Sequence, residues 1–464
     1  MKHEIYSLLE KRMDVKSFGV LTGKHSIWPL LFTLCLILFS TIIFSCIQCS
    51  GNSSEITNAN NGNVNRQTQG SITIIKYDTA RDTTPDVSDA DVASLAAGNT
   101  EFAIDIYNKL SDSTGNIFFS PYSISIALAM TWGGARNQTE TDMATVLHFP
   151  FAQATLHAAF NALDLALIRH AQSGGFDLHI VNQLWGEKTY TFLPDYLKLM
   201  QVNYGAGMYL LDFIGNPEPS RLVINTWVSD STNQKITDLL PKGSITGNTK
   251  LVLTNAIYFK AQWADTFYCE NTNNLPFLRS ENDTITTKYM SREGDYNYDS
   301  TAEYKAIELP YKGKKTSMII ILPATGKMAE IESEISAVFL TTLYGSMQSK
   351  NVSLQLPKFK FTTGANSIAG ILKSLGMSIA FGDLADFSGI NGTGNFYIGD
   401  VIHKAYVAVD EKGTEAAAAT AVIGESSGIP DVWLSVNRPF IFLIRDVSTN
   451  TILFMGKVND PTKE

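Results

Sequence analysis

Apolar and polar residues alternate most densely in the second half of the chain. Leu178–Trp185, Leu251–Phe259, Ser317–Leu322, Val352–Phe361, Ala405–Val409, Ile441–Arg445 and Ile452–Gly456 read as strands, because β-branched and aromatic residues recur there at strand spacing. Helical spacing runs over Val92–Leu110, over Ser123–Thr131 behind Pro121, and over Asn225–Leu240. In the last of these Trp227, Val228, Ile236, Leu239 and Leu240 build an apolar face that Pro241 ends. Helices dominate the first third and strands the last, with no regular strand–helix alternation and no internal repeat. That order predicts an α+β fold rather than a doubly wound sheet. Lys312, Gly313, Lys314 and Lys315 read as a solvated hairpin tip ahead of Met318–Leu322, not as a nucleic-acid or polyanion site.

The start of the chain departs from this pattern. Ile27 to Ile47 is almost wholly apolar and follows Lys11, Arg12, Lys16 and Lys24, so residues 1–46 read as a signal segment or membrane anchor. Residues 47–90 are rich in Ser, Asn, Thr and Gly and read as a flexible tether, leaving 91–464 as the globular domain. Ile43-Phe44-Ser45-Cys46 resembles a bacterial lipoprotein cleavage box, in which Cys46 takes the lipid, although Phe44 is bulky for such a box. An uncleaved anchor is the other reading, and either makes the protein exported, at the cell surface or facing the periplasm, or secreted. Cys46 and Cys49 have the spacing of a redox or zinc pair, but no second pair completes a metal site. Cys269 is then alone in the globular part, so stability rests on the core rather than on disulfides, which a body of this size supports. With a net charge of −9 and scattered basic residues, a nucleic-acid partner is not expected.

The segment Glu411-Lys412-Gly413-Thr414-Glu415-Ala416-Ala417-Ala418-Ala419-Thr420 follows the strand Ala405–Val409 and leads toward Pro430. Loops are normally built from Gly, Pro, Asn and Asp, whereas this one carries consecutive alanines and no proline before Pro430. A helix is one reading, since alanine is the best helix former. Against it, Ala421 to Gly428 supplies no apolar stripe and contains Gly424 and Gly428. As a strand, Thr414, Ala416, Ala418 and Thr420 would share one small, uncharged face, able to slide between two existing strands without a clash or a buried charge.

With these residues in place, the chain resembles the serpins. The Glu411–Thr420 segment is similar to the hinge of the reactive loop in inhibitory members. Further matches are Asn116-Ile117-Phe118-Phe119-Ser120-Pro121-Tyr122-Ser123, Asn225-Thr226-Trp227-Val228, Leu253 to Trp263, Asn437-Arg438-Pro439-Phe440 and Leu453 to Val458. The resemblance implies about nine helices and three sheets, with an exposed loop that can insert into the largest sheet. It implies no catalysis and no cofactor or metal. The chain would be a monomeric suicide-substrate inhibitor that traps a protease as an acyl-enzyme. It implies a hinge at Glu411, Gly413, Thr414, Glu415, Ala416, Ala417, Ala418, Ala419 and Thr420, and a shutter at Ser120, Ser123, Asn255 and His403. Trp263 would mark the breach where insertion begins, and Glu411 would pair with Lys358. The family spacing puts the reactive bond at Ser427–Gly428, or at Gly428–Ile429 when counted back from Asn437. No Lys or Arg lies between Lys412 and Arg438, so the expected target is elastase-like, subtilisin-like or papain-like.

Two other classes stay open at this stage. A serpin fold can serve as a non-inhibitory carrier or chaperone, though those members commonly lose the small-residue hinge. Gly424-Glu425-Ser426-Ser427-Gly428 also fits the nucleophile elbow of serine hydrolases, with Ser426 as nucleophile. In that fold the histidine follows the serine, and the last histidine here is His403.

Overall fold

The computed structural model describes residues 63–363, 366–394, 396–414 and 429–463, with the backbone alone at Asn366. Its strands form two hydrogen-bonded sheets of nine strands each. The first contains β1 (Val64–Gln69), β2 (Ile72–Tyr77), β3 (Asp177–Glu187), β4 (Met208–Leu211), β5 (Leu251–Gln262), β6 (Phe359–Thr362), β7 (Val401–Asp410) and β8 (Gly413–Thr414). Their order is β1-β2-β4-β3-β5-β8-β7-β6, with Asn366–Ser367 added against β7. In the second sheet the long strand Asp283–Ser300 pairs with both Gln348–Pro357 and Tyr304–Pro310. It thereby joins into one ladder what the family resemblance describes as two smaller sheets.

Five helices matter for the site: α1 (Asp89–Leu110), α2 (Pro121–Trp132), α3 (Gln153–Gly174), α4 (Pro194–Tyr204) and α5 (Pro217–Ser231). Ser88 caps α1, and Asp91 returns the bond to the cap's backbone N–H. Ser120 caps α2, Pro121 occupies its first turn, and every residue of that helix is buried. A helix buried on every side has no solvent face, so the polar side chains of α2 find partners inside, as the Ser125 hydroxyl does on Asn99. The main core lies between the two sheets: Phe118 stacks on Phe454 and meets Phe361 edge-on, while Phe259 packs on Phe454. A second cluster of buried residues gathers Trp185 and Val181 of β3 with Ile224 and Val228 of α5.

Three expectations need correction. The helix read over Asn225–Leu240 starts earlier, at Pro217, and stops at Ser231, where Asn233 and Gln234 turn to positive φ; Ile236, Leu239 and Leu240 are buried from a loop instead. The strand read over Val352–Phe361 is two strands in different sheets, Gln348–Pro357 and β6, because the chain crosses over at Pro357-Lys358. The tether read over 47–90 is ordered in its second half, where Ile72-Thr73-Ile74-Ile75 supplies a strand and β1 pairs with it through a tight turn at Gly70. The hairpin tip at Gly313 and Lys314 is found as expected, with positive φ at both.

Candidate functional site

The register of three neighbouring strands puts polar side chains in one row. Asn182 of β3 lies opposite Asn255 of β5, and Asn255 lies opposite His403 of β7. The row faces the start of α2. The Asn255 amide donates to Ser123 O at 2.5 Å and to Asn182 Oδ1 at 2.7 Å. His403 Nδ1 donates to Asn255 Oδ1, and its Nε2 accepts the Ser120 N–H at 3.1 Å. Both imidazole nitrogens are used by one neutral tautomer, and complete burial pushes the ring pKa down to about 3. All four shutter residues expected from sequence thus meet beneath the sheet. Asn182 joins them and was missed; it is one of three polar residues, with His179 and Gln183, in the strand run Leu178–Trp185, and nothing local sets it apart.

The direct ladder between β5 and β7 runs from Leu253/Val401 to Ile257/Ala405. Higher up, β8 stands between the two strands, with Thr414 opposite Ala261 on one side and Val409 on the other. The Thr414 side chain is buried, and its hydroxyl lies 2.7 Å from that of Tyr311. Tyr311 stacks on Trp263 with ring centroids 4.6 Å apart. The Trp263 indole donates to Asp410 O at 2.9 Å, and its backbone N–H donates to Lys412 O. Trp263 therefore holds the chain on both sides of Glu411. Sequence reasoning found Trp263 but not Tyr311, whose position after Pro310 carries no local mark of a role.

Glu411 receives Lys358 Nζ at 2.6 Å and the Thr272 hydroxyl at 2.7 Å. Burial pushes its carboxyl upward, but those two donors outweigh burial and leave it below the ordinary range. Gly413 has φ +154°, and a Cβ there would sit 2.0 Å from Ala261 O, so only glycine fits. Glu415, Ala416, Ala417, Ala418, Ala419 and Thr420, together with Ser426, Ser427 and Gly428, lie outside the described residues. The chain resumes at Ile429, which is 91% exposed. Among the described residues no cluster of three acidic, histidine or cysteine side chains could hold a metal. Among them, too, no helix is long and apolar enough to cross a membrane; Cys46 and the apolar segment around it fall outside that range.

A family model described as "Serpin (serine protease inhibitor)" matches residues 97–461. The chain belongs to the serpin family. Leukocyte elastase inhibitor of Xenopus tropicalis is 38% identical over 378 residues, covering 79% of this chain and 100% of the relative. An uncharacterized serpin-like protein of Thermococcus kodakarensis is 38% identical over 365 residues, covering 78% and 84%. Uncleaved ovalbumin superposes with a TM-score of 0.72 at 27% identity, covering 79% of this serpin and all of ovalbumin. Human thyroxine-binding globulin superposes with a TM-score of 0.72 at 28% identity, covering 80% and 100%. The family is one of serine protease inhibitors, and membership in it supports protease inhibition in general.

Proposed function

We propose that this serpin is a suicide-substrate inhibitor that traps a serine protease by inserting its reactive loop between β5 and β7. The observation that carries the reading is β8, which has already seated Thr414 between those strands. Continued along the same register, Ala416, Ala418 and Thr420 would follow Thr414 onto the buried face. None of them brings charge or bulk. The protease serine attacks the scissile carbonyl, the peptide bond breaks, the new amine leaves with a proton, and an ester joins inhibitor and protease. Insertion then carries the ester away from the loop's original position before water hydrolyses it.

The bond at Ser427–Gly428, or Gly428–Ile429, with Val422 and Ile423 upstream, fits an elastase-like or subtilisin-like protease, and the relatives named leukocyte elastase inhibitors point the same way. A papain-like enzyme is the further candidate on the same small-residue bait. Human thyroxine-binding globulin, solved with its hormone, supports a carrier reading for the fold, but the small-residue hinge favours inhibition here. Export and tethering through Cys46, as a monomer, complete the proposal; a Cys46→Ser chain found still membrane-bound would replace the lipid by an uncleaved anchor. The test is to mix the full-length chain in detergent with pancreatic elastase, subtilisin, papain and trypsin. A band near the summed masses on a denaturing gel is expected for the first two, with mass spectrometry locating the bond. Clean cleavage without such a band for every protease would turn the reading to a substrate or carrier.

A further inference from the structure

The leader that precedes the family match is fastened to the molecule at two places. Its hairpin extends the first sheet past β4, with Thr73 opposite Leu210, Ile74 opposite Tyr209 and Ile75 opposite Met208. Ile75 is buried in the main core, and the ammonium of Lys198 on α4 sits 5.9 Å from the Tyr77 ring centroid. Beyond the hairpin, the Asp82 N–H donates to Val202 O in α4. Arg81 then reaches α3, donating to Asn161 Oδ1 at 2.8 Å and pairing with Asp164 at 2.7 Å, while the buried Asn161 amide donates back to Asp82 O at 2.7 Å.

A cleft of about 500 Å³ separates Leu167 and Ile168 of α3 from Leu178 and Ile180 of β3, and Arg81 lies on its wall. Room of this kind between a helix and a strand is slack, because packed interiors otherwise leave little space for one element to move over another. Opening the sheet between β5 and β7 requires the strands on the β5 side, β3 and β4 among them, to shift relative to the elements beneath. The leader is tied to β4, the hydrogen-bonded neighbour of β3, and through Arg81 to α3, which faces β3 across the cleft. Covering an exposed sheet edge would need only the hairpin; the buried anchorage of Arg81 on Asn161 and Asp164 is what turns the cover into a restraint. We infer that residues 63–82 are a brace that sets how readily the inhibitory sheet opens. This rests on the insertion reading above.

The test measures how fast a synthetic acetylated peptide spanning Thr414–Ile423 anneals into the full-length protein, read as a rise in thermal stability, together with the stoichiometry of inhibition. Two variants are used, one lacking residues 63–77 and one carrying Arg81→Gln, which leaves the hairpin pairing intact. Annealing is expected to quicken roughly tenfold in the deletion and by a smaller factor in Arg81→Gln, a rate change equivalent to lowering the barrier by one tenfold step. Fewer inhibitor molecules should then be consumed per protease trapped. A lowered melting temperature with unchanged annealing in both variants would make the leader a mere stabiliser and overturn the brace alone. If loop cleavage or peptide brings no thermal rise in the unaltered protein, the insertion reading fails, and the brace with it.

Discussion

At His403 a neutral ring is held between Asn255 and the Ser120 N–H, with no acid in the contact. The ordinary imidazole value is 6.5 and the folded one about 3, so the unfolded chain binds a proton that the native protein refuses. Stability is therefore undiminished above pH 6.5 and falls as the pH drops toward 3. His157, also buried with its pKa near 3, has the same sign. Each should remove about 1.6 kcal/mol between pH 6.5 and pH 5, the slope approaching 1.36 kcal/mol per pH unit below the unfolded value. Denaturant melts of the native protein and His403→Gln across that range should differ in slope by one proton; identical slopes would show that the ring is protonated in place. Thr414 makes the second residue-scale prediction. Its side chain is 1% exposed, so Thr414→Arg would bury an unpaired guanidinium at about 3–5 kcal/mol and turn the inhibitor into a plain substrate. Unchanged stoichiometry of protease trapping would count against insertion. Gly413, Thr414 and His403 were all legible as residue types. Tyr311 and Asn182 were not, because their importance comes from neighbours far away in the chain, Thr414 for Tyr311 and Asn255 for Asn182.

The hinge behaves as an element through its anchor. Glu411 is clamped by Lys358, which enters from the crossover between the two sheets, and by Thr272. Because the folded carboxyl lies below its ordinary value of 4.5, the clamp is fully present above that pH and is lost as the pH falls through the folded value. Lys358 is one-third exposed, so Lys358→Ala should cost only about 1 kcal/mol in overall stability. Its larger effect should be on the loop: faster limited proteolysis between Glu411 and Ile429, measured against the unaltered chain. Ala418→Pro should stall the growing strand by removing a ladder donor, leaving cleavage without a trapped complex on a denaturing gel. The leader hairpin shows why elements are harder to read than residues. Only β2 has a strand's composition; β1, Val-Asn-Arg-Gln-Thr-Gln, is polar almost throughout and becomes a strand because β2 offers it a partner.

For the whole molecule, insertion of the loop would part the direct ladder between β5 and β7 in the first sheet and prolong β8 into a full-length strand. Completing that sheet should raise the melting temperature by well over 10 °C once the loop is cut, since a shift of 1 kcal/mol moves a large domain by roughly 2–4 °C and a full strand adds many such increments. Calorimetry before and after cleavage by elastase checks this, and an unchanged midpoint would mean that the loop stays outside. The apolar periodicity, the Ser120–Pro121 helix start, the family blocks and the small-residue hinge were all written in the sequence, because they depend on side-chain type and near-neighbour spacing. The joining of the smaller sheets through Asp283–Ser300, the row of Asn182, Asn255 and His403, the stacking of Tyr311 on Trp263 and the leader's hold on α3 were decided only by the tertiary structure. Strand register and long-range packing bring those residues together, and neither leaves a trace in the local order of residues along the chain.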